Sequence, residues 1–153
     1  MIRASTVGNP SATGKNVRAL KMARLYTIRS TTNLIPELEA ATGLTFQRSY
    51  LIYNVPAEAR RGNHRHRKNH SILLCLAGSV TVFVQSAQQD SVYELSAGGQ
   101  ALHLFPPDWR MLYNFSPGCV LLALASHYYS SFDYVTKPYR STALEITESI
   151  EIK

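Results

Sequence analysis

The sequence predicts an all-β domain, a sandwich or a barrel, and three observations support this. Short runs rich in β-branched, aromatic and aliphatic residues recur along the chain with turn residues between them. The segments that fit a helix are few and short. A chain of 153 residues is long enough for one hydrophobic core and short for two. We therefore expect a single all-β domain over residues 22–153.

The first 21 residues differ in composition from the rest of the chain. They mix Ser, Thr, Gly, Asn and Lys with few large apolar side chains. Such a segment buries too little apolar surface to fold alone. We expect residues 1–21 to form a flexible N-terminal tail.

The predicted elements follow one another at short intervals. In 80–85 valines alternate with other residues, whereas 120–125 is apolar at every position and should be covered on both faces. Residues 36–41 could form one or two helical turns, and 142–150 fits a helix or a strand. The predicted strands are 24–28, 45–55, 72–77, 80–85, 91–95, 101–105, 111–115 and 120–125.

Composition limits which binding partners and which cellular compartment we expect for this protein. The net charge of +6 suits nucleic acid or a pyrophosphate substrate, but no recognition helix, zinc-finger spacing or aromatic-basic RNA-binding motif is present, so we expect no nucleic acid. No apolar run has the roughly 18 residues of a membrane span. Cys75 and Cys119 lie in apolar runs and are interpreted as core residues. We expect a cytoplasmic protein with no membrane partner.

The segment from Arg60 to Lys68 carries the strongest functional signal. His64 and His66 stand two residues apart before an apolar run, and in an extended strand that spacing points both imidazoles to one side. Gly62 permits a tight entry into the strand. A histidine pair on one face can move protons near neutral pH or bind a metal ion, although an isolated pair of this kind often lies in water.

A metal site is the competing interpretation of this segment. His64, His66 and His70 could supply three ligands, but such sites add a fourth from a later strand. The segment after the Pro-Pro turn contains Trp109, Arg110 and Met111. The position expected for the fourth ligand therefore holds a cation or a thioether instead of a histidine. His103 could complete the set, yet a lone strand histidine is more often structural. We therefore predict no metal.

Tyrosine and arginine side chains could complete a site for a carbon acid beside a ketone. Tyr50 and Tyr53 lie on opposite faces of a regular strand, so at most one shares the histidines' pocket, where its hydroxyl could hydrogen-bond an enediolate. Arginine pairs well with phosphate oxygens. The candidates for that role are Arg48, Arg61 and Arg110.

Several motifs, in order, resemble one known family. They are Arg61-Gly-x-His-x-His66 with two basic residues after it, Cys75-x-x-Gly-Ser79, the run from Arg48 to Val55, the Trp109 turn, 114–118, the Leu-Ala-Ser ending at Ser126, and 128–134. Over about 48–139 the chain resembles the cupin-fold 3,4-ketoisomerases that act on dTDP-4-keto-6-deoxyglucose, also described as WxcM-like sugar proteins. It departs from the usual family pattern at Arg65, His70, Ser71 and Arg110.

The resemblance implies a fold, a reaction and a partner. The fold would be a cupin double-stranded β-helix, a jelly-roll barrel. His64 would take the proton from sugar carbon 3, His66 would help to return one at carbon 4, and Tyr50 is the best match for the family's tyrosine. No metal or organic cofactor is implied. The family's homodimers exchange an N-terminal strand, which implies that 24–28 pairs with a partner chain.

Together these inferences predict an isomerase that interconverts the 4-keto and 3-keto forms of a dTDP-linked 6-deoxyhexose through an enediol. Two alternatives stay open: a noncatalytic sugar-nucleotide-binding cupin, and a metal-dependent cupin enzyme using His64, His66 and His70. In the main prediction His64 is the base, His66 the proton relay and Tyr50 a hydrogen-bond donor to the intermediate, while Arg48, Arg61 and Arg110 hold the pyrophosphate.

Overall fold

The computed structural model describes residues 3–5, 23–28 and 32–151. Within these residues β-strand is the main regular structure, as predicted. The strands are β1 (Arg3–Ser5), β2 (Arg24–Thr27), β3 (Arg48–Tyr53), β4 (Arg61–His66), β5 (Ser71–Ala77), β6 (Ser79–Gln85), β7 (Asp90–Ser96), β8 (Gln100–Leu104), β9 (Trp109–Tyr113), β10 (Val120–Ala125) and β11 (Tyr134–Val135). The helices are α1 (Leu34–Thr42), α2 (Thr142–Glu151) and a short 3-10 turn, Ser131–Asp133.

These strands form two antiparallel sheets. One has six strands in the order β1-β2-β8-β5-β10-β3, and the other has five in the order β11-β4-β9-β6-β7. Most neighbours in each sheet are distant in sequence, which is typical of a jelly roll. The cupin double-stranded β-helix expected from the sequence is confirmed. Most of the tail predicted over 1–21 lies outside the described residues; within it, β1 pairs with β2.

The main core fills the space between the sheets. Strand alternation sends Val80, Val82 and Val84 of β6 inward, where they meet Leu73 and Cys75 of β5. Cys75 and Cys119 are both buried and free, as the sequence indicates. The described residues contain no helix that is long and apolar enough to cross a bilayer.

Helix α1 covers the outer face of the six-stranded sheet. Its Leu38 is completely buried against Ile72, Leu74 and Leu124. Because Leu121 and Ala123 of β10 point into the main core while Leu124 points outward, the all-apolar strand is covered on both faces, as predicted. Gly43 ends α1 in the left-handed conformation, at φ 73°.

Helix α2 covers the outer face of the five-stranded sheet, which settles the choice between helix and strand for this segment. Its Ala143 packs with Phe83, Trp109 and Met111. Gln85, fully buried, fixes the approach to the helix: its side-chain oxygen accepts hydrogen bonds from the backbone of residues 139 and 140, and its nitrogen donates to Thr142 Oγ1 at 2.8 Å.

Candidate active site

A cavity between the two sheets brings most of the predicted site residues together. Its wall combines polar groups with apolar side chains from both sheets. Five of the six predicted residues, Tyr50, Arg61, His64, His66 and Arg110, contribute to it, and the remaining lining residues are Ile52, Gly62, Ser71, Leu73, Leu104 and Leu112.

A β-bulge in β4 sets the position of the histidines. The pairing of β4 with β9 shifts register between Gly62 and His64, and both Gly62 and Asn63 have positive φ, 86° and 57°. A Cβ on Gly62 would lie 2.9 Å from the carbonyl oxygen of Arg110, so only glycine fits there. The carbonyl of Gly62 is 2.8 Å from His64 Nδ1 and thereby orients the imidazole.

His66 is oriented by a carboxylate from a distant part of the chain. Its Nδ1 lies 2.8 Å from Asp133 Oδ2. Backbone N–H groups of Arg67 and Lys68 donate to the other carboxylate oxygen at 3.0 and 2.7 Å. Burial raises the pKa of Asp133, but hydrogen bonds from the Lys68 N–H and from His66 outweigh it, so the net shift is downward and Asp133 is ionised at neutral pH.

The two imidazoles face each other through their Nε2 atoms, 3.2 Å apart. Gly62 O can only accept, and so can the ionised Asp133, so both Nδ1 atoms carry the ring proton. Burial and then the Arg110 guanidinium lower the pKa of His64 and of His66 to about 4. At neutral pH both rings are neutral, and both Nε2 lone pairs are available to accept a proton.

Tyr134 packs against this histidine pair. Its ring centroid lies 4.5 Å from that of His64 and 4.7 Å from that of His66. Strand β11 puts it there because Tyr134 pairs with His66 across the sheet. The aromatic ring therefore shields one side of the Nε2 pair from solvent.

Tyr50 is the tyrosine that shares the cavity, whereas Tyr53 is 58% exposed and does not line it. This confirms that at most one of them faces the histidines. Burial raises the pKa of Tyr50, a shift that Arg48 opposes, so the phenol keeps its proton at neutral pH. Arg48 lies over the rings of Tyr50 and Tyr129, 5.0 and 5.7 Å from the centroids, rather than in the cavity wall.

Arg110 is a buried cation, only 3% exposed. It lies in the cavity wall on β9, where it pairs with His64 of the neighbouring strand β4. Burial lowers its pKa to about 10, a value at which it remains charged at neutral pH. One nitrogen donates to the carbonyl of Phe105 at 3.4 Å, while Nε has no hydrogen-bond partner among the described residues. Arg61 differs, because it is exposed and donates to the carbonyl of Arg60.

The three-histidine set considered for metal is not assembled. His70 turns away from the cavity and lies 3.0 Å from His103 Nε2 through its Nδ1, beside Phe105. Across the described ranges, no group of three or more His, Cys, Asp and Glu side chains is arranged to hold a metal ion.

Three residues that contact the histidines or line the cavity were not identified in the sequence as members of the site. Asp133 and Tyr134 belong to the 128–134 motif. No local signal in the sequence indicates that Asp133, 67 positions after His66, would bind that histidine. Ser71 was noted only as a departure from a family pattern, and its alternation with Leu73 along β5 was the available sign that it faces inward.

The jelly roll and its cavity of paired histidines, tyrosine and arginine are typical of a cupin. The chain matches the family model described as FdtA, WxcM-like, C-terminal, over residues 18–143. It belongs to that family.

Known proteins similar to this chain agree with the assignment. A TDP-4-oxo-6-deoxy-α-D-glucose-3,4-oxoisomerase from Aneurinibacillus thermoaerophilus is 33% identical over 91 residues, 60% of this chain and 66% of that protein. QdtA, a sugar 3,4-ketoisomerase from Thermoanaerobacterium thermosaccharolyticum solved with TDP, superimposes with a TM-score of 0.68 at 27% identity, covering 85% of this chain and 97% of that one. A QdtA variant solved with TDP-4-keto-6-deoxyglucose gives a TM-score of 0.62 at 30% identity over 75% and 80% of the chains.

Proposed function

We propose that this protein is a ketoisomerase that interconverts the 4-keto and 3-keto forms of a dTDP-linked 6-deoxyhexose. The observation that carries the proposal is the pair of neutral imidazoles whose Nε2 atoms lie 3.2 Å apart in a cavity with a phenol and a buried guanidinium. Its relatives named as 3,4-ketoisomerases and 3,4-oxoisomerases support the reaction class.

The paired Nε2 atoms suit a reaction in which a proton leaves one carbon and another reaches its neighbour. His64 Nε2 takes the proton from carbon 3, the electrons of that C–H bond form a double bond between carbons 3 and 4, and the carbonyl electrons move onto the oxygen of carbon 4, which gives an enediolate. The proton on His64 then lies within hydrogen-bond distance of His66 Nε2. The hydroxyl proton on the oxygen of carbon 3 passes to the oxygen of carbon 4. His66 then delivers a proton to carbon 4 as the double-bond electrons form the new C–H bond and the oxygen on carbon 3 becomes the ketone.

The groups around the pair would stabilise the charge that develops on the two oxygens. Tyr50 keeps its proton and donates a hydrogen bond. Arg110, which we expected from the sequence to bind the pyrophosphate, is buried beside the histidines and supplies a fixed positive charge there, where it acts strongly. Burial, and then the same guanidinium, lower the pKa of both histidines, which keeps the bases unprotonated before substrate binds.

The cations at the cavity mouth would hold the pyrophosphate. Arg61 is exposed in the cavity wall, and Arg48 lies over the Tyr50 ring. Arginine suits this role because its guanidinium forms paired hydrogen bonds with phosphate oxygens.

We also propose a cytoplasmic homodimer that exchanges strand β2. Within one chain β2 pairs with β8 from Arg24 opposite His103 to Thr27 opposite Gln100, and the same register could be formed by a partner's strand. Light scattering coupled to size exclusion measures the mass, and a monomer at micromolar concentration would contradict this part of the proposal.

The reaction is tested by proton NMR of dTDP-4-keto-6-deoxyglucose in deuterated water with chelator-treated protein. We expect loss of the carbon-3 proton signal together with a 3-keto product. Exchange without product would leave His64 as a base and contradict the relay to carbon 4. Binding with neither exchange nor product would favour a noncatalytic sugar-nucleotide-binding protein, and activity that chelation abolishes would favour a metal enzyme.

Two variants separate the roles of the histidines. His64→Asn should abolish carbon-3 exchange, because no base remains at that carbon, whereas His66→Asn should allow exchange and slow product formation by about 100-fold or more. The fold should survive both changes, which circular dichroism checks. Near-normal turnover by the His64 variant would contradict its assignment as the base.

A further inference from the structure

Ser71 is a buried hydroxyl in the cavity wall that the proposed mechanism does not use. It begins β5 and is paired on both sides, with Leu104 of β8 and Ala125 of β10, so its backbone is held firmly. Alternation along β5 points Ser71 and Leu73 into the cavity while Ile72 faces α1. Ser71 is 5% exposed, an unusual place for a hydroxyl without a polar task.

A neighbouring amide fixes the direction of that hydroxyl. Asn69, only 3% exposed, donates from Nδ2 to Ser71 Oγ at 3.1 Å. The amide orientation is itself set, because Asn69 Oδ1 accepts from the backbone N–H of His127 at 3.1 Å. Ser71 Oγ therefore acts as an acceptor toward Asn69, and its own proton is free to point elsewhere.

The same network reaches the proton-transfer pair. The backbone N–H of Asn69 donates to Asp133 Oδ2 at 3.3 Å, the oxygen that also binds His66 Nδ1. Ser71 and His66 are thus held by one polar cluster at the same cavity wall. The Ser71 hydroxyl is a small neutral hydrogen-bond donor. It can stabilise negative charge that develops on a substrate oxygen, and it does not repel the Arg110 guanidinium in the same cavity wall.

We infer that the Ser71 hydroxyl donates a hydrogen bond to one of the two enediolate oxygens of the substrate, with Asn69 as the residue that positions it. This inference rests on the proposed ketoisomerase function and adds a substrate-binding residue to it. The contact strengthens as the intermediate forms, so its loss lowers kcat more than it raises KM.

The test compares S71A, N69D and the double variant in steady-state turnover of dTDP-4-keto-6-deoxyglucose. S71A should lower kcat by about 10- to 100-fold. The N69D carboxylate accepts from Ser71 and turns the hydroxyl away from the substrate, so it should cost a similar factor. Because both changes remove the same contact, the double variant should be within about twofold of S71A.

Two controls make the result specific. The affinity for dTDP, which lacks the sugar, should stay within about twofold in every variant, and Ser49→Ala, an exposed serine of β3, should leave kcat unchanged. If S71A does not fold, Ser71→Cys fills the same place with a weak donor and should show the same loss. Wild-type kcat in S71A or its cysteine substitute would overturn the inference, whereas an inactive wild-type protein would overturn the proposed function instead.

Discussion

The histidine pair owes its character to the residues around it more than to the imidazoles themselves. Gly62 and Asp133 hold the two Nδ1 protons, which leaves both Nε2 atoms as acceptors facing each other. Burial and Arg110 then keep the pair unprotonated. In the proposed mechanism, such a pair can accept a proton at neutral pH without first losing one to solvent.

These pKa values predict how activity depends on pH. An ordinary histidine base, with a pKa near 6.5, would lose about nine-tenths of kcat/KM between pH 8 and 5.5. With pKa values lowered to about 4, kcat/KM should stay nearly constant over that range and fall only below about pH 5. Initial rates across pH 5–8.5 test this, and a steep loss near pH 6.5 would contradict it.

Arg110→Met provides the matched control for that profile. Removing the guanidinium removes a cause of the lowered histidine pKa values, so the acid limb should move to higher pH. The amplitude of the rate will also change, and the shape of the normalised profile is therefore the quantity to compare. An unmoved acid limb would show that Arg110 does not set the pKa of the pair.

At the scale of elements, the β-bulge in β4 sets the position of His64. Gly62→Ala introduces a Cβ 2.9 Å from the Arg110 carbonyl at φ 86°, so the bulge must shift and carry His64 with it. We expect a loss of about 2 kcal/mol in the free energy of unfolding and at least a 10-fold loss of kcat. Urea unfolding and steady-state turnover measure the two effects.

Gly118→Ala is the control that separates the cost of backbone strain in Gly62→Ala from the displacement of His64. Gly118 also has positive φ, 74°, but a Cβ there meets no atom within 4 Å. It should show the smaller cost of backbone strain alone, about 1 kcal/mol, with kcat unchanged. Equal effects of both variants on kcat would argue against a positioning role for the bulge.

Gln85 offers a test of how α2 is fastened to the barrel. Gln85→Leu keeps the approximate volume and removes the acceptor for the backbone N–H groups of residues 139 and 140. We expect a loss of about 2 kcal/mol in the free energy of unfolding. Gln88→Leu, at an exposed position of the following turn, is the control and should change stability by less than about 0.5 kcal/mol.

At the scale of the whole molecule, charge should govern the encounter with a nucleotide substrate. The chain carries a net charge of +6, and basic residues of 60–68 lie next to the cavity. Raising ionic strength from about 25 to 500 mM should lower kcat/KM several-fold and leave kcat nearly constant. Arg61→Gln should make the salt dependence shallower, and an unchanged slope would contradict a role for Arg61 in attraction.

Sequence periodicity was sufficient for the all-β class and for the faces of several strands, whereas the cupin architecture was expected from the family resemblance. The valine alternation in β6, the all-apolar β10 and the two-residue spacing of the histidines each predicted the face that the structure shows. Strand β4 was harder to place as an element because Arg61–His66 contains no aliphatic side chain. It is a strand because β9 and β11 supply its backbone partners.

The rest of the site depends on contacts that no local pattern encodes. Asp133 lies in a 3-10 turn far along the chain and reaches His66 because the strand that follows it, β11, pairs with β4. Likewise, no sequence pattern indicates that the Arg48 guanidinium lies over two aromatic rings. Side-chain direction within a cavity follows from the complete fold, whereas strand faces follow from local alternation.

The position of the single tryptophan has a practical consequence. Trp109 begins β9, packs against Phe83 and donates its indole N–H to the carbonyl of Thr136 at 2.9 Å. Arg110, the next residue, projects into the cavity from the opposite face of the same strand. Tryptophan fluorescence therefore comes from one buried indole next to the cavity wall, and the untagged protein carries its own optical reporter for titrating nucleotides.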